Sequence, residues 1–284
     1  MKIAVSAWSF HEPLYAAKLR QTDVPAEVAA LGLRHVELLE MFLWRKPPGL
    51  LQRVLRRAAP QASPTVDYSH DTLNELRGAR LRAGTPLVCW DADTDLTIAD
   101  ADTRRAQLAH MATAIQAAKF LGAPMLRITT GGQAGDSAAV GRAIDTLRTA
   151  LPVAMASGVK LAIENHFGLS ADAQALVEIV TALNSPSLGV CLDLGNYRDG
   201  EADEGIQLLA PYAIHVHCKS RAFDANGEET KINYSTAMQA LRAAGYEGVF
   251  SIEFEGDGSP ADGIRKTKAL IEKYQISNIK SQST

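Results

Sequence analysis

Short apolar runs bounded by polar or turn residues recur along the chain at Ile3–Ala7, His35–Leu39, Pro86–Trp90, Pro124–Ile128, Lys160–Ile163, Leu188–Leu192, Ala213–His217 and Val249–Phe254. Between them the periodicity becomes helical. In Arg105–Leu121, Leu108, Met111, Ala112, Ile115 and Ala118 fall on one face, and comparable stretches follow at Ala138–Ala156, Asp172–Leu183, Ser235–Ala244 and Asp262–Tyr274. Several of these stretches stop at a glycine followed by the next apolar run, as at Leu121-Gly122-Ala123-Pro124, Ser157-Gly158-Val159 and Ala244-Gly245-Tyr246. Glycine adopts the left-handed conformation that closes a helix, and proline cannot continue one. The pattern is a repeated strand–helix unit. Continuous apolar strands are buried on both faces, which implies a parallel sheet covered by helices, and eight units in about 250 residues predict a single (β/α)8 TIM barrel of the α/β class. An open doubly wound sheet fits less well, because Val5-Ser6-Ala7-Trp8 stands where a nucleotide-binding G-x-G-x-x-G would follow the first strand.

The longest connection lies between Leu39 and Pro86. It holds Trp44–Pro48 and the polar cluster Gln61–His70, and reads as an excursion on the strand-end face. This candidate lid is expected to carry a short helix near Leu50–Arg57 before the second barrel helix near Leu73–Ala83. No linker divides the chain, so one barrel domain is expected over residues 1–274, with a frayed polar tail over 275–284.

Composition narrows the function classes. Of 284 residues, 46% are hydrophobic and 21% charged, enough apolar surface for a sizeable core and too much for disorder. Lys and Arg number 29 against 32 Asp and Glu, a formal charge of −3 with no basic tract. Counterion release on nucleic acid needs clustered cations, so no nucleic-acid partner is expected. Cys89, Cys191 and Cys218 lie on apolar runs in odd number and form no CxxC motif, which suits buried reduced thiols and a cytoplasmic protein. The start MKIAVSAWSF, with one Lys and an apolar run broken by Ser6 and Ser9, does not read as a signal peptide. No apolar stretch approaches the roughly 18 residues of a spanning helix, so no membrane partner is expected.

Barrels of this kind carry their chemistry at the carboxyl ends of the strands. The last four predicted strands each begin apolar and end in ionisable groups: Glu164-Asn165-His166, Asp193 followed by Asn196, His215-Val216-His217-Cys218-Lys219, and Glu253-Phe254-Glu255. Alternation along a strand puts Glu164 with His166, His215 with His217 and Lys219, and Glu253 with Glu255 on common faces. If those faces look toward the barrel axis, two Glu, one Asp and one His converge. Carboxylates so close cannot all ionise cheaply, and a divalent cation resolves the repulsion. A donor set of three carboxylates and one imidazole favours Mn²⁺ or Mg²⁺, with Co²⁺, Fe²⁺, Ni²⁺ or Zn²⁺ also compatible. Any single strand-end carboxylate is more often a helix cap or an ion-pair partner; the coincidence on consecutive strands is what favours a metal.

The series IENH, CLDLGN, HVHCKS and SIEFEG resembles the sugar phosphate isomerase/epimerase family within the xylose isomerase-like barrel superfamily, which also holds inosose dehydratases and endonuclease IV-like proteins. The resemblance implies that Glu164, Asp193, His217 and Glu253 are metal ligands, that Glu164 and Glu253 form the acid/base pair, and that His215 is packed beside them. Where the family's epimerases place a substrate-binding His three residues after the Asp, this chain has Asn196. A trinuclear zinc site would need more His than the scattered His11, His35, His70, His110, His166, His215 and His217 provide.

Further substrate-binding candidates are His166 and Lys219, whose alternative is a surface His and a solvated Lys, together with Asn196, Trp8, Trp90 and Arg127 at strand ends. Trp8 and Trp90 serve equally well as core plugs. Glu40 and Asp91 also end strands. Gly131-Gly132 and Gly135 before Asp136-Ser137 either cradle a phosphate or form a plain capped turn, and the lack of a following Lys favours the turn. The function expected is a metal-dependent isomerase or epimerase of a small-molecule carbohydrate, working through an enediolate. The same apparatus supports dehydration or elimination on a keto-sugar, keto-glycoside or inosose. A reading of another class is a non-catalytic metal-binding barrel that acts as a subunit of a larger assembly; as partners, a homo-oligomer or a hetero-subunit are both compatible with the sequence.

Overall fold

Eight parallel strands close in chain order: β1 (Lys2–Ser6), β2 (His35–Leu39), β3 (Leu87–Ala92), β4 (Met125–Ile128), β5 (Lys160–Glu164), β6 (Leu188–Asp193), β7 (Ala213–Ser220) and β8 (Val249–Phe254), with β8 pairing back onto β1. The computed structural model describes residues 1–43, 66–197 and 200–276. Every predicted strand is present. β7 runs three residues past its predicted end at His217, because Lys219 and Ser220 continue the register against Glu253 and Phe254.

Helices cover the barrel where the periodicity placed them, with shifted starts. Ala101–Leu121 begins four residues before the predicted Arg105, since the Asp100 side chain accepts from the Thr103 N–H at 2.8 Å and supports a polar first turn that carries no apolar period. Gly122 and Gly158 close their helices at φ +79° and +71°. The helix predicted at Leu73–Ala83 spans His70–Ala83, whereas the expected short helix near Leu50–Arg57, Trp44–Pro48 and part of Gln61–His70 lie outside the described residues. The helix Ala202–Leu209, too short for its period to stand out, was not predicted. The last helix, Pro260–Ile276, runs two residues beyond the predicted barrel limit, and the remaining tail lies outside the described residues. Among the described residues no helix is long and apolar enough to cross a membrane, and all three cysteines are free and buried.

Register decides what the barrel encloses. The cross-strand partners Glu37↔Cys89, Asp91↔Arg127, Glu164↔Cys191, Asp193↔His217 and Lys219↔Glu253 point to the inside. The residues between them, Leu38, Trp90, Leu126, Ile163, Leu192 and Ile252, face the helices and are buried in the main hydrophobic core. The fold is therefore stabilised by its outer layer, where each buried large side chain contributes about 1.5–3 kcal/mol, leaving the axis free for charged groups.

Candidate metal centre

Four strand ends bring Glu164, Asp193, His217 and Glu253 together. Each is buried, and one donor atom of each lies within 4.8 Å of the others. His217 Nδ1 stands 2.9 Å from Glu164 Oε1, 3.5 Å from Glu253 Oε1 and 3.9 Å from Asp193 Oδ2. Asn165, next to Glu164 and 1% exposed, fixes the neighbouring strand end: its Nδ2 donates to the Asp193 carbonyl at 2.9 Å and its Oδ1 accepts from the Asp193 N–H at 2.8 Å. The amide side chain thus extends the β5–β6 ladder by one step. Asp193 Oδ1 in turn accepts from the Gly195 N–H at 2.6 Å, which turns Oδ2 toward the other ligand candidates.

Two buried cations stand among these carboxylates. Arg127 grips Glu164 Oε2 and reaches Asp93 Oδ1 at 3.0 Å. Lys219 Nζ lies 3.0 Å from Asp193 Oδ2, 3.6 Å from Glu253 Oε2 and 2.9 Å from Glu255 Oε1, and donates to Asn196 Oδ1 at 2.9 Å. Deeper in the barrel, Glu37 faces both β7 imidazoles, and Asp91 keeps one buried oxygen without a hydrogen-bond partner. Among the described residues five buried carboxyl groups, Glu37, Asp91, Glu164, Asp193 and Glu253, line the inside of the barrel beside two permanent cations, and burial and Glu37 hold Asp91 well above the usual carboxylate range. Burial pushes the Asp193 carboxyl up to about 6 even with Lys219 beside it, and burial likewise raises Glu253. For Glu164 burial acts in the same direction but is outweighed by the Arg127 guanidinium and His217, which hold the carboxyl well below the usual range.

Above the ligands opens a cavity of about 620 Å³. His166 lines it, with Nε2 3.9 Å from Glu164 Oε2, as do Asn196, Lys219 and Arg127. The Trp8 ring lines it too, its indole N–H donating to Glu255 Oε1 at 2.7 Å. Trp90 does not join them. As a candidate substrate contact it is corrected to a core residue: it is fully buried in the outer layer, because alternation along β3 turns Trp90 toward the helices and Asp91 toward the axis. Glu40 serves a helix contact, bonding Tyr68 and standing 3.1 Å from His110 Nε2. The Gly131–Gly135 segment is a turn ending in Asp136, whose side chain accepts from the Ala139 N–H at 3.0 Å. Glu37 and Asn165 were missed by sequence reasoning. A lone acid inside the apolar run His35–Leu39 was the available signal for Glu37; Asn165 carried none.

A family model of the xylose isomerase-like TIM barrel matches residues 25–274. The chain is 30% identical over 151 residues to an uncharacterised protein of Methanocaldococcus jannaschii, covering 48% of this chain and 49% of that one. It is 40% identical over 48 residues to the 3'-dehydrocarminate deglycosidase alpha subunit of a Microbacterium species, 17% of this chain and 14% of that one. The aligned parts thus span half or less of the curated relatives. Among solved structures, a D-tagatose 3-epimerase-like protein superposes with a TM-score of 0.72 at 20% identity, covering 99% of this chain and all (100%) of that one. The IOLI protein with a binding zinc atom gives 0.70 at 16%, covering 96% and 99%. A probable 3-DHS dehydratase from Bacillus anthracis gives 0.68 at 15%, covering 95% and 98%. At these identities the superpositions establish the fold.

Proposed function

The chain belongs to the xylose isomerase-like TIM barrel family, and from that premise we propose that it is a divalent-metal-dependent isomerase or epimerase of a small carbohydrate. Glu164, Asp193, His217 and Glu253 are the metal ligands in this reading. The observation that carries it is their gathering within 4.8 Å at one buried point, with Asp193 Oδ2 enclosed and accepting no hydrogen bond despite its ion pair with Lys219. Glu37, Glu164, Asp193 and Glu253 gather around His217 with Arg127 and Lys219 as the permanent cations beside them, and a divalent cation in place of the imidazole proton balances their charge. The hard donor set favours Mn²⁺ or Mg²⁺, and Co²⁺ or Zn²⁺ also fit. When bound, the cation supplies Lewis acidity toward a substrate carbonyl and an adjacent hydroxyl.

The chain's own groups handle the proton. Both oxygens of Glu164 are engaged, one by Arg127 and one by His217, whereas among the described residues Glu253 meets only the longer contacts at 3.5 Å to His217 and 3.6 Å to Lys219. Glu253 is therefore the freer base and takes the substrate C–H proton, which it later gives to solvent; the proton added at the opposite face comes from solvent or a substrate hydroxyl on the side of Glu164, which Arg127 and His217 hold ionised. Trp8, His166, Asn196, Lys219 and Arg127 orient the hydroxyls from the cavity wall.

A second reading, elimination from a keto-sugar or keto-glycoside, is favoured by Lys219. Its ammonium is buried inside the cavity within reach of both Asp193 and Glu255, which hold its proton tightly, so it stabilises the charge of a departing oxygen by a hydrogen bond. A third reading, a non-catalytic subunit, draws on the relative named as an alpha subunit. The test is turnover of a panel of ketoses, inososes and keto-glycosides in D₂O with Mn²⁺, Mg²⁺, Co²⁺ or Zn²⁺. Deuterium entering beside the carbonyl without loss of mass supports the first reading; loss of water or of an aglycone supports the second. Absence of exchange and turnover with every metal leaves only the third.

A further inference from the structure

We propose that Glu37 is a positioning residue of the metal centre, holding the two β7 imidazoles as Nε2–H tautomers so that His217 presents Nδ1 to the ion. The inference rests on the metal-binding reading above and concerns a residue that reading leaves unused. Glu37 is the lone acid of β2 and is fully buried, directed to the axis by its register with Ser6 and Cys89. Its Oε1 lies 2.7 Å from His217 Nε2 and its Oε2 lies 2.8 Å from His215 Nε2.

An ionised carboxylate only accepts hydrogen bonds, so each ring nitrogen facing it carries the hydrogen. A ligating imidazole is neutral, so with Nε2 carrying the hydrogen it is Nδ1 that offers its lone pair to an ion, and Nδ1 is the nitrogen that faces Glu164 at 2.9 Å, Glu253 at 3.5 Å and Asp193 at 3.9 Å. His215 is needed to complete the device. By occupying the second oxygen it stops the Glu37 carboxylate from rotating, while its own Nδ1 is buried without a partner, as a bare lone pair requires less than an N–H would. A carboxylate behind a ligating imidazole fixes ring orientation and raises the basicity of the donor nitrogen, and its loss lowers metal affinity about 10–100-fold. Glu37 also belongs to a second buried group, with Asp91, His217 and Glu253, whose donor atoms lie within 4.8 Å of one another, so the number of ions bound and the ring nitrogen that ligates separate positioning from direct ligation by Glu37.

Glu37→Gln isolates the effect, because an amide of the same shape accepts from one imidazole but must donate to the other, forcing one ring into the opposite tautomer. The full chain, wild type and variant, is titrated with Zn²⁺ or Mn²⁺ in competition with a chelator, with circular dichroism as the check on folding. In parallel, ¹⁵N NMR of the histidines in the Zn²⁺-loaded wild type reads the tautomer directly and needs no variant. Expected are one ion per wild-type chain, a 10–100-fold weaker site in folded Glu37→Gln, and a His217 signal with Nε2 protonated and Nδ1 ligated. Unchanged affinity in the variant, ligation through Nε2, or two ions per chain overturns the proposal. A wild type that binds neither ion overturns the metal reading itself and this inference with it, a result distinct from binding that is indifferent to Glu37.

Discussion

Asn165→Ala tests whether the site is built on the β5–β6 ladder. The side chain makes two buried hydrogen bonds, 2.9 Å to the Asp193 carbonyl and 2.8 Å from the Asp193 N–H. Truncation leaves a backbone donor and a backbone acceptor at a residue that is 0% exposed, with no water-facing alternative. An unpaired buried polar group costs about 1–3 kcal/mol, and relief by local adjustment places the pair at about 2–4 kcal/mol in total. Unfolding entropy of about 2.1 cal/mol/K per residue over 284 residues is roughly 0.6 kcal/mol/K, so the loss lowers Tm by about 3–7 °C. Because the bonds hold the Asp193 backbone, metal affinity falls together with Tm. Thermal unfolding by circular dichroism, with and without a divalent cation, measures both. A variant whose Tm stays within 1 °C of wild type, or one that loses stability yet binds metal as before, refutes the idea that Asn165 sets the position of Asp193.

Trp90→Ala should cost about 3–5 kcal/mol by denaturant unfolding while leaving the folded chain's KM for a substrate of the proposed reaction unchanged, whereas Trp8→Ala should raise that KM with a smaller loss of stability; the opposite assignment would return Trp90 to the substrate. His110 has its pKa raised by its hydrogen bond to Glu40, so the folded chain holds the ring's proton more tightly than the unfolded chain, whose value is near 6.5. The resulting stability is fully present below about pH 6 and is lost as pH rises through the folded value. The difference in Tm between wild type and His110→Gln is therefore larger at pH 5.5 than at pH 8.5, and an equal difference at both would show that the pair contributes nothing through protonation.

Much of the architecture was legible because its physics is local. Apolar runs separated by helical periods, with Gly122 and Gly158 at the turns, specify strand and helix without reference to distant residues. The ligand candidates Glu164, Asp193, His217 and Glu253 stood out because charge at the end of an apolar strand is costly unless it is used. Reading Trp90 as a substrate contact failed where alternation was not carried through β3: Cys89 and Asp91 share the inner face, which puts Trp90 on the other. The roles of Glu37, Asn165 and Arg127 could not be derived from spacing, since each depends on a partner 28 to 180 residues away that only closure of the barrel brings within reach. The polar start of the helix at Ala101 was missed for a related reason, since capping by Asp100 leaves no apolar signature, whereas the capped turn read at Asp136-Ser137 is present, with Asp136 accepting from the Ala139 N–H.

The central claim is that one divalent cation is held by four named side chains from β5, β6, β7 and β8. Anomalous diffraction from crystals of the full chain soaked in Mn²⁺ locates the ion directly. The account predicts a single strong peak at the barrel mouth bonded to Glu164, Asp193, His217 Nδ1 and Glu253. A peak elsewhere, or none at an Mn²⁺ concentration that supports turnover, would contradict it.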